Sequence, residues 1–140
     1  MRKIDDGKIF RIIDANLNRA KEGLRVCEDV SRFILDSKKQ TRDYKAVRHT
    51  LESIFKSLFP KKAVLISQRD VSADVGRPST AAEFQRRNVR DIFYANSQRA
   101  KESLRVLEEF TKLLNVKSAQ AFKELRYKVY VLEKDIVKKF

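Results

Sequence analysis

The chain has 140 residues; 32 Lys and Arg against 19 Asp and Glu leave a net charge of +13, and a 42% hydrophobic fraction predicts one folded domain and excludes a disordered tail. A charged fraction of 36% with only three glycines favours long helices over a sandwich or barrel, and the placement of Gly7, Gly23 and Gly76 excludes G-x-G-x-x-G and Walker A loops. One cysteine, Cys27, and one histidine, His49, exclude an internal disulfide and a His/Cys zinc site; no apolar run exceeds four residues and the N-terminus is charged, so neither a membrane span nor a signal peptide is expected, and the default location is cytoplasmic.

In chain order, the first helix is predicted from about Asp6 to Leu35, capped by Asp5 or Asp6. Ile13, Leu17, Ala20, Leu24, Cys27 and Ile34 recur at spacings of three, four and seven, the stripe of an amphipathic helix. Val26, Val30 and Phe33 widen the apolar arc. A partner helix follows from about Thr41 to Phe59, turning Tyr44, Val47, Leu51, Ile54, Phe55 and Leu58 inward, and Pro60 stops it. Residues 60–80 read as a loop holding Gly76 and Pro78, and a loop that long in a compact domain is usually functional or disordered. Ser79 or Thr80 is placed to cap a short helix containing Glu83. Phe93, Ala100, Leu104, Leu107 and Leu114 stripe the next long helix, and Phe122, Leu125, Val129, Leu132 and Ile136 the last. No strand is expected; Ala63 to Ser67 is too short to force one.

The chain repeats itself. Ile12 to Ile34 aligns with Ile92 to Leu114 at a constant offset of 80, with 11 identities in 23 pairs. A fainter echo pairs Asp43 to Leu51 with Ala121 to Val129. The single domain, residues 1–140, is therefore expected to be an all-α helical bundle of two helix–helix halves, about 6–59 and 86–138, joined by the loop and related by a pseudo-twofold axis.

The basic excess is spread evenly, with 17 basic and 10 acidic groups in residues 1–70 and 15 and 9 in residues 71–140. That speaks against a nucleic-acid arm and leaves a solvated helical surface or attraction to anionic metabolites. On a helical wheel Asn16 and Arg19 fall inside the apolar arc, and the duplicate repeats this at Asn96 and Arg99. Glu22 and Glu102 sit at its edge. A buried arginine must be paired, so one reading is a structural network in which Arg19 meets a carboxylate such as Glu22. The other is a cleft between the halves on which Asn16, Arg19, Asn96 and Arg99 converge, suited to a polar anion because guanidinium binds phosphate in a fork.

Ala20, Ala100, Gly23 and Ser103 read as a close helix contact, and Cys27 as a small core residue. Arg48 and Arg126 match across the repeat and either add charge to the cleft or sit on a solvated flank. His49 faces Tyr127 in the alignment and reads as a surface residue. In the loop, Asp70 or Asp74, near Arg69, is placed to hold Mg²⁺ or act as a base beside a phosphate, or is an ordinary turn residue.

The duplicated A-N-x-x-R-A-x-E-x-L-R-V-x-E-[DE] pattern with the central R-D-x-x-x-D-V-G resembles one helical family. It is the domain N-terminal to the thiamine-phosphate synthase barrel in some bacteria, cyanobacteria among them; it also occurs alone and is proposed as an alternative hydroxymethylpyrimidine-phosphate kinase. The resemblance runs from about Phe10 to Lys134. It implies ATP-dependent phosphorylation of hydroxymethylpyrimidine phosphate to the diphosphate, with ATP and Mg²⁺ as cofactors. The matching positions are Asn16, Arg19, Glu22, Arg25, Glu28, Arg69, Asp70, Asp74, Gly76, Asn96, Arg99, Glu102, Arg105 and Glu108. With the chain ending at Phe140, no synthase barrel is expected in it.

Three readings follow. In the first, Asp70 or Asp74 serves catalysis while Asn16, Arg19, Glu22, Arg69, Asn96, Arg99 and Glu102 bind a phosphorylated pyrimidine. In the second, the chain is a non-catalytic helical module that partners a separate thiamine-phosphate synthase. The third, a basic nucleic-acid binder, has neither a recognition motif nor a basic tail behind it. A homodimer is compatible with a small helical protein, although no unused apolar stripe demands one.

Overall fold

The structure is a computed structural model that describes residues 6–79, 81 and 85–140. Helix α1 spans Asp6–Asp29 and runs directly into a π-helical turn, Val30–Ile34. Then come α2 (Lys38–Leu58), the single turn α3 (Ala63–Ile66), α4 (Val89–Thr111) and α5 (Val116–Val137). Among the described residues there is no strand, and no helix is long and apolar enough to cross a membrane. The fold is all-α, as expected.

Local chemistry sets the helix starts. Asp36 takes a left-handed backbone (φ 49°), which Asp tolerates better than most residues, and so turns the chain out of the π turn. Ser37 then caps α2, its hydroxyl accepting from the Gln40 N–H, so α2 begins three residues before the expected Thr41. Asn88 caps α4 by accepting from the Asp91 N–H at 2.9 Å, and Asn115 caps α5 from the Ser118 N–H at 3.0 Å. The expected loop 60–80 is not wholly irregular, because α3 forms within it and buries Leu65. The candidate caps Asp5 and Thr80, and Glu83, lie outside the described residues.

The four long helices close a ring in the order α1, α4, α5, α2, with α3 leaning on α1. Ile13, Leu24, Leu51, Leu104, Leu107, Phe122, Leu125 and Ile136 fill the centre, and Phe55 meets Phe122 at 5.8 Å between ring centroids. Three residues expected on the apolar faces are on the surface instead: Phe33 is 63% exposed, Ile34 55% and Leu114 45%. The π turn bonds Leu35 N–H to Val30 C=O and so shifts the phase of the wheel, carrying Phe33 and Ile34 outward. Leu114 lies beyond the end of α4 at Thr111.

Helices α1 and α4 run antiparallel. Cys27 Sγ lies 4.0 Å from the Phe93 carbonyl, whereas Gly23, one turn earlier, faces Asn96 and Ala100. Glu22 meets Arg99 at 3.8 Å. The twins Asn16 and Asn96 therefore lie on opposite sides of the crossing. Asn96 packs at the level of residues 23–24, which puts it about 12 Å along the axis from Asn16.

Candidate functional site

One face of α1 forms the floor of an open cleft of about 480 Å³. Lys8, Arg11, Ile12, Ala15, Asn16 and Arg19 line it at helical spacing, and Asp14 stands at its edge. The opposite wall is the segment after α3, which supplies Arg69, Asp70, Val71 and Asp74.

The two walls are joined by one charged pair. Arg69 Nε donates to Asp14 Oδ2 at 2.6 Å and Arg69 Nη2 to Asp14 Oδ1 at 2.9 Å, a two-point fork. Asp14 is buried, and its bonds hold the Arg69 guanidinium above its ordinary pKa. Asn18 Nδ2 donates to the Asp14 carbonyl at 3.0 Å and reaches its carboxylate at 3.4 Å. Behind this pair lies a smaller hollow of about 200 Å³ lined by Leu17, Phe55, Phe59 and Leu65, with Lys21 and Lys62 among its polar groups.

Asn16 is buried; its Nδ2 donates to the Ile12 carbonyl at 2.9 Å and its Oδ1 accepts from Arg19 Nη1 at 3.4 Å. Arg19 itself is exposed, which corrects the expectation of an inward arginine: its Cα lies on the apolar arc, but a long side chain carries the charge out to water. Lys8, Arg11 and Arg19 have no carboxylate partner among the described residues. Asp70 and Asp74 close their own turns, Asp70 Oδ1 accepting from Ala73 N–H at 3.1 Å and Asp74 Oδ1 from Gly76 N–H at 2.9 Å. Both also line the cleft, so the turn role and the site role coincide.

The second-half residues do not reach this cleft. Asn96 donates to the Ile92 carbonyl at 2.8 Å, Arg99 pairs with exposed Glu22, and Glu102 accepts from Gln98 at 2.9 Å. The antiparallel crossing sets Asn96 far along the axis from Asn16, and Arg99 is held by Glu22 on the other side of the cleft's edge residue Arg19. The pairing is also one-sided. Arg99 reaches Glu22, but the reciprocal pair of Arg19 with Glu102 does not form, so Arg19 remains available to the cleft.

Arg48 and Arg126 do neither of the things expected of them. Arg48 meets the buried Glu28 at 3.3 Å, and Arg126 meets the buried Glu108 at 3.5 Å. Arg25 adds a bond to Glu28 at 2.7 Å and Arg105 one to Glu108 at 2.5 Å. Each half thus holds a buried carboxylate between two arginines. Cys27 is buried, and desolvation, helped by the charge of Glu133, pushes its thiol up to about 12. Burial likewise raises Tyr44, whose hydroxyl has no hydrogen-bond partner among the described residues. His49 is exposed.

Sequence reasoning missed Asp14, Lys8 and Arg11. A signal was present at two of them, because the repeat breaks in charge there: Asp14 aligns with Tyr94 and Arg11 with Asp91.

The geometry suits a polyanion. Three cations without a carboxylate partner among the described residues, and a buried amide, face two carboxylates across an open cleft. Mg²⁺ is commonly held by one or two carboxylates together with phosphate oxygens. Asp70 and Asp74 fit that donor set, whereas among the described residues no three His, Cys, Asp or Glu side chains converge as a protein-only metal site.

Comparison with known proteins gives one consistent picture. The chain is 40% identical over 136 residues to the thiamine-phosphate synthase of Nostoc sp. (strain PCC 7120), covering 92% of this chain and 35% of that protein. It is 39% identical over 138 residues to the thiamine-phosphate synthase of Synechocystis sp. (strain PCC 6803), covering 98% and 38%. That of Rhodopirellula baltica is 34% identical over 137 residues, covering 97% and 36%. The chain therefore spans little more than a third of the length of these relatives. No solved structure matches it. The ThiD2 family model matches residues 11–135, nearly the whole chain and every residue of the cleft but Lys8, and the chain belongs to the ThiD2 family.

Proposed function

We propose that this chain works in thiamine biosynthesis as a helical module that acts beside a thiamine-phosphate synthase unit. The observation that carries this reading is the architecture of the relatives. Proteins named thiamine-phosphate synthase carry a counterpart of almost this whole chain within about a third of their own length. Units tethered in one protein meet at high effective concentration, and a docking surface is one way to keep them together. The test is size-exclusion and calorimetric titration of this chain against the remaining two-thirds of a relative made separately. A complex, or a changed synthase rate, supports the reading; no complex and an unchanged rate at micromolar protein would sink it.

The cleft favours a second, compatible reading: the module binds a phosphorylated pyrimidine and phosphorylates it from ATP. Lys8, Arg11 and Arg19 would neutralise phosphate charge, and Asn16 and Arg69 would orient the ligand. Asp70 or Asp74 would hold Mg²⁺ together with the phosphates or accept the proton of the attacking hydroxyl. Bound Mg²⁺ would neutralise charge on the transferring group, and phosphoryl transfer needs positioning and charge stabilisation more than covalent chemistry. The assay is ADP release with hydroxymethylpyrimidine phosphate, for the wild type and for Asp70→Asn and Asp74→Asn. No release above background, beside an active conventional kinase, would remove this reading and leave the first intact.

A further inference from the structure

The cleft is held together unevenly. Among the described residues, three carboxylates are buried: Asp14, Glu28 and Glu108. Glu28 and Glu108 are twins, and each ties the two helices of its own half through Arg48 or Arg126. Asp14 has no acidic twin, since Tyr94 stands in its place, so the repeated scaffold does not require a carboxylate there. Its partner is Arg69, in the segment between the halves.

That segment has few other ties. Residues 69–79 are all exposed, and from Asp70 onward their hydrogen bonds are internal: Ala73 and Ser72 to Asp70, Gly76 and Arg77 to Asp74. Among the described residues, the Asp14–Arg69 fork is the one side-chain polar bond that fixes the segment to a long helix. A buried acid gripping a guanidinium at two points sets both distance and orientation, which an ammonium cannot do.

We propose that Asp14 is the positioning residue of the cleft: through Arg69 it holds segment 69–76 against α1, so that Asp70 and Asp74 share one cleft with Lys8, Arg11 and Arg19. The inference rests on the anion-binding reading of that cleft. Asp14 acts through Arg69 and needs no contact with the ligand.

The test uses the full chain with inorganic pyrophosphate as the probe. Affinity is measured by calorimetry and amide hydrogen exchange by mass spectrometry. Asp14→Asn and Arg69→Gln are each expected to weaken pyrophosphate binding about tenfold, with the double variant no worse than either single one. Exchange across 69–76 should rise in both variants without ligand, and in α4 and α5 should stay unchanged. Arg69→Lys should recover part of the affinity by keeping one contact. Glu28→Gln, which breaks a buried pair elsewhere, should lower the melting temperature and leave the affinity unchanged. Should Asp14→Asn not fold, the Arg69 pair of variants at its half-exposed position carries the comparison. Binding by wild type with an unaltered, folded Asp14→Asn, or fully additive losses in the double variant, would overturn the proposal alone. No pyrophosphate binding by wild type would overturn the anion reading of the cleft, and this proposal with it.

Discussion

A Cβ placed on Gly23 would stand 2.7 Å from the main-chain oxygen of Asn96, so α1 and α4 approach backbone to backbone at this point. The same Cβ would be 3.3 Å from the Ala100 nitrogen. Alanine would add about 1 kcal/mol of helix propensity. Against that, moving the main chain of α4 costs about 1–3 kcal/mol in overpacking. Gly23→Ala is expected to lower the melting temperature. A variant that melts at or above the wild-type temperature would show that the two helices part without cost here.

The two buried Glu–Arg clusters should behave alike. Glu28 and Glu108 are 4% and 3% exposed, and each lies between two arginines. Removing one member of a buried pair leaves charge uncompensated, at a cost of about 3 kcal/mol. Urea unfolding of Glu28→Gln and Glu108→Gln is expected to give losses of that order for both. Losses under about 1 kcal/mol would mean that water already solvates the arginine side of these clusters.

Cys27 should report unfolding. Burial and the neighbouring Glu133 push its thiol from the ordinary 9.0 to about 12, so the folded protein holds the proton that the unfolded chain releases. Stability from this group is therefore full below pH 9 and is lost as pH rises from about 9 to 12, because the unfolded state binds fewer protons there. Burial of Tyr44 acts in the same direction. Thiol labelling at pH 8 is expected to follow urea unfolding and to be slow in the native state. Rapid labelling without denaturant would contradict the buried, neutral thiol.

Arg19 and Arg99 are twins with different duties. Arg99 pairs with Glu22 at the surface, and Arg19 carries no carboxylate partner among the described residues. Arg99→Ala should change stability by less than about 1 kcal/mol, and Arg19→Ala by no more than about 0.5 kcal/mol. With the cleft as an anion site, Arg19→Ala weakens pyrophosphate binding in calorimetry and Arg99→Ala does not. Equal losses would assign the binding to overall charge and not to the cleft.

Much of the fold was legible because helical periodicity is written locally. The apolar stripes of α4 and α5 matched the buried residues closely, Leu114 excepted, and Pro60 lies just past the end of α2. Phe33 and Ile34 were misplaced because a wheel assumes one unbroken phase and the π turn shifts it. The cleft was half legible. Asn16, Arg19, Arg69, Asp70 and Asp74 meet in it, whereas Glu22, Asn96, Arg99 and Glu102 do not.

The amino-acid sequence alone determined the helices, their apolar faces, the repeat, and the charged residues that each half carries twice. These depend on contacts within a few residues or on comparison of the chain with itself. Tertiary structure decided two further matters. The antiparallel contact of α1 with α4 sets Asn96 far from Asn16 and pairs Arg99 with Glu22. The Arg69–Asp14 fork joins residues 55 apart and builds one asymmetric cleft on a duplicated frame. Periodicity tells which side of a helix is buried, but only the packing of whole helices sets which distant side chains stand within hydrogen-bonding reach.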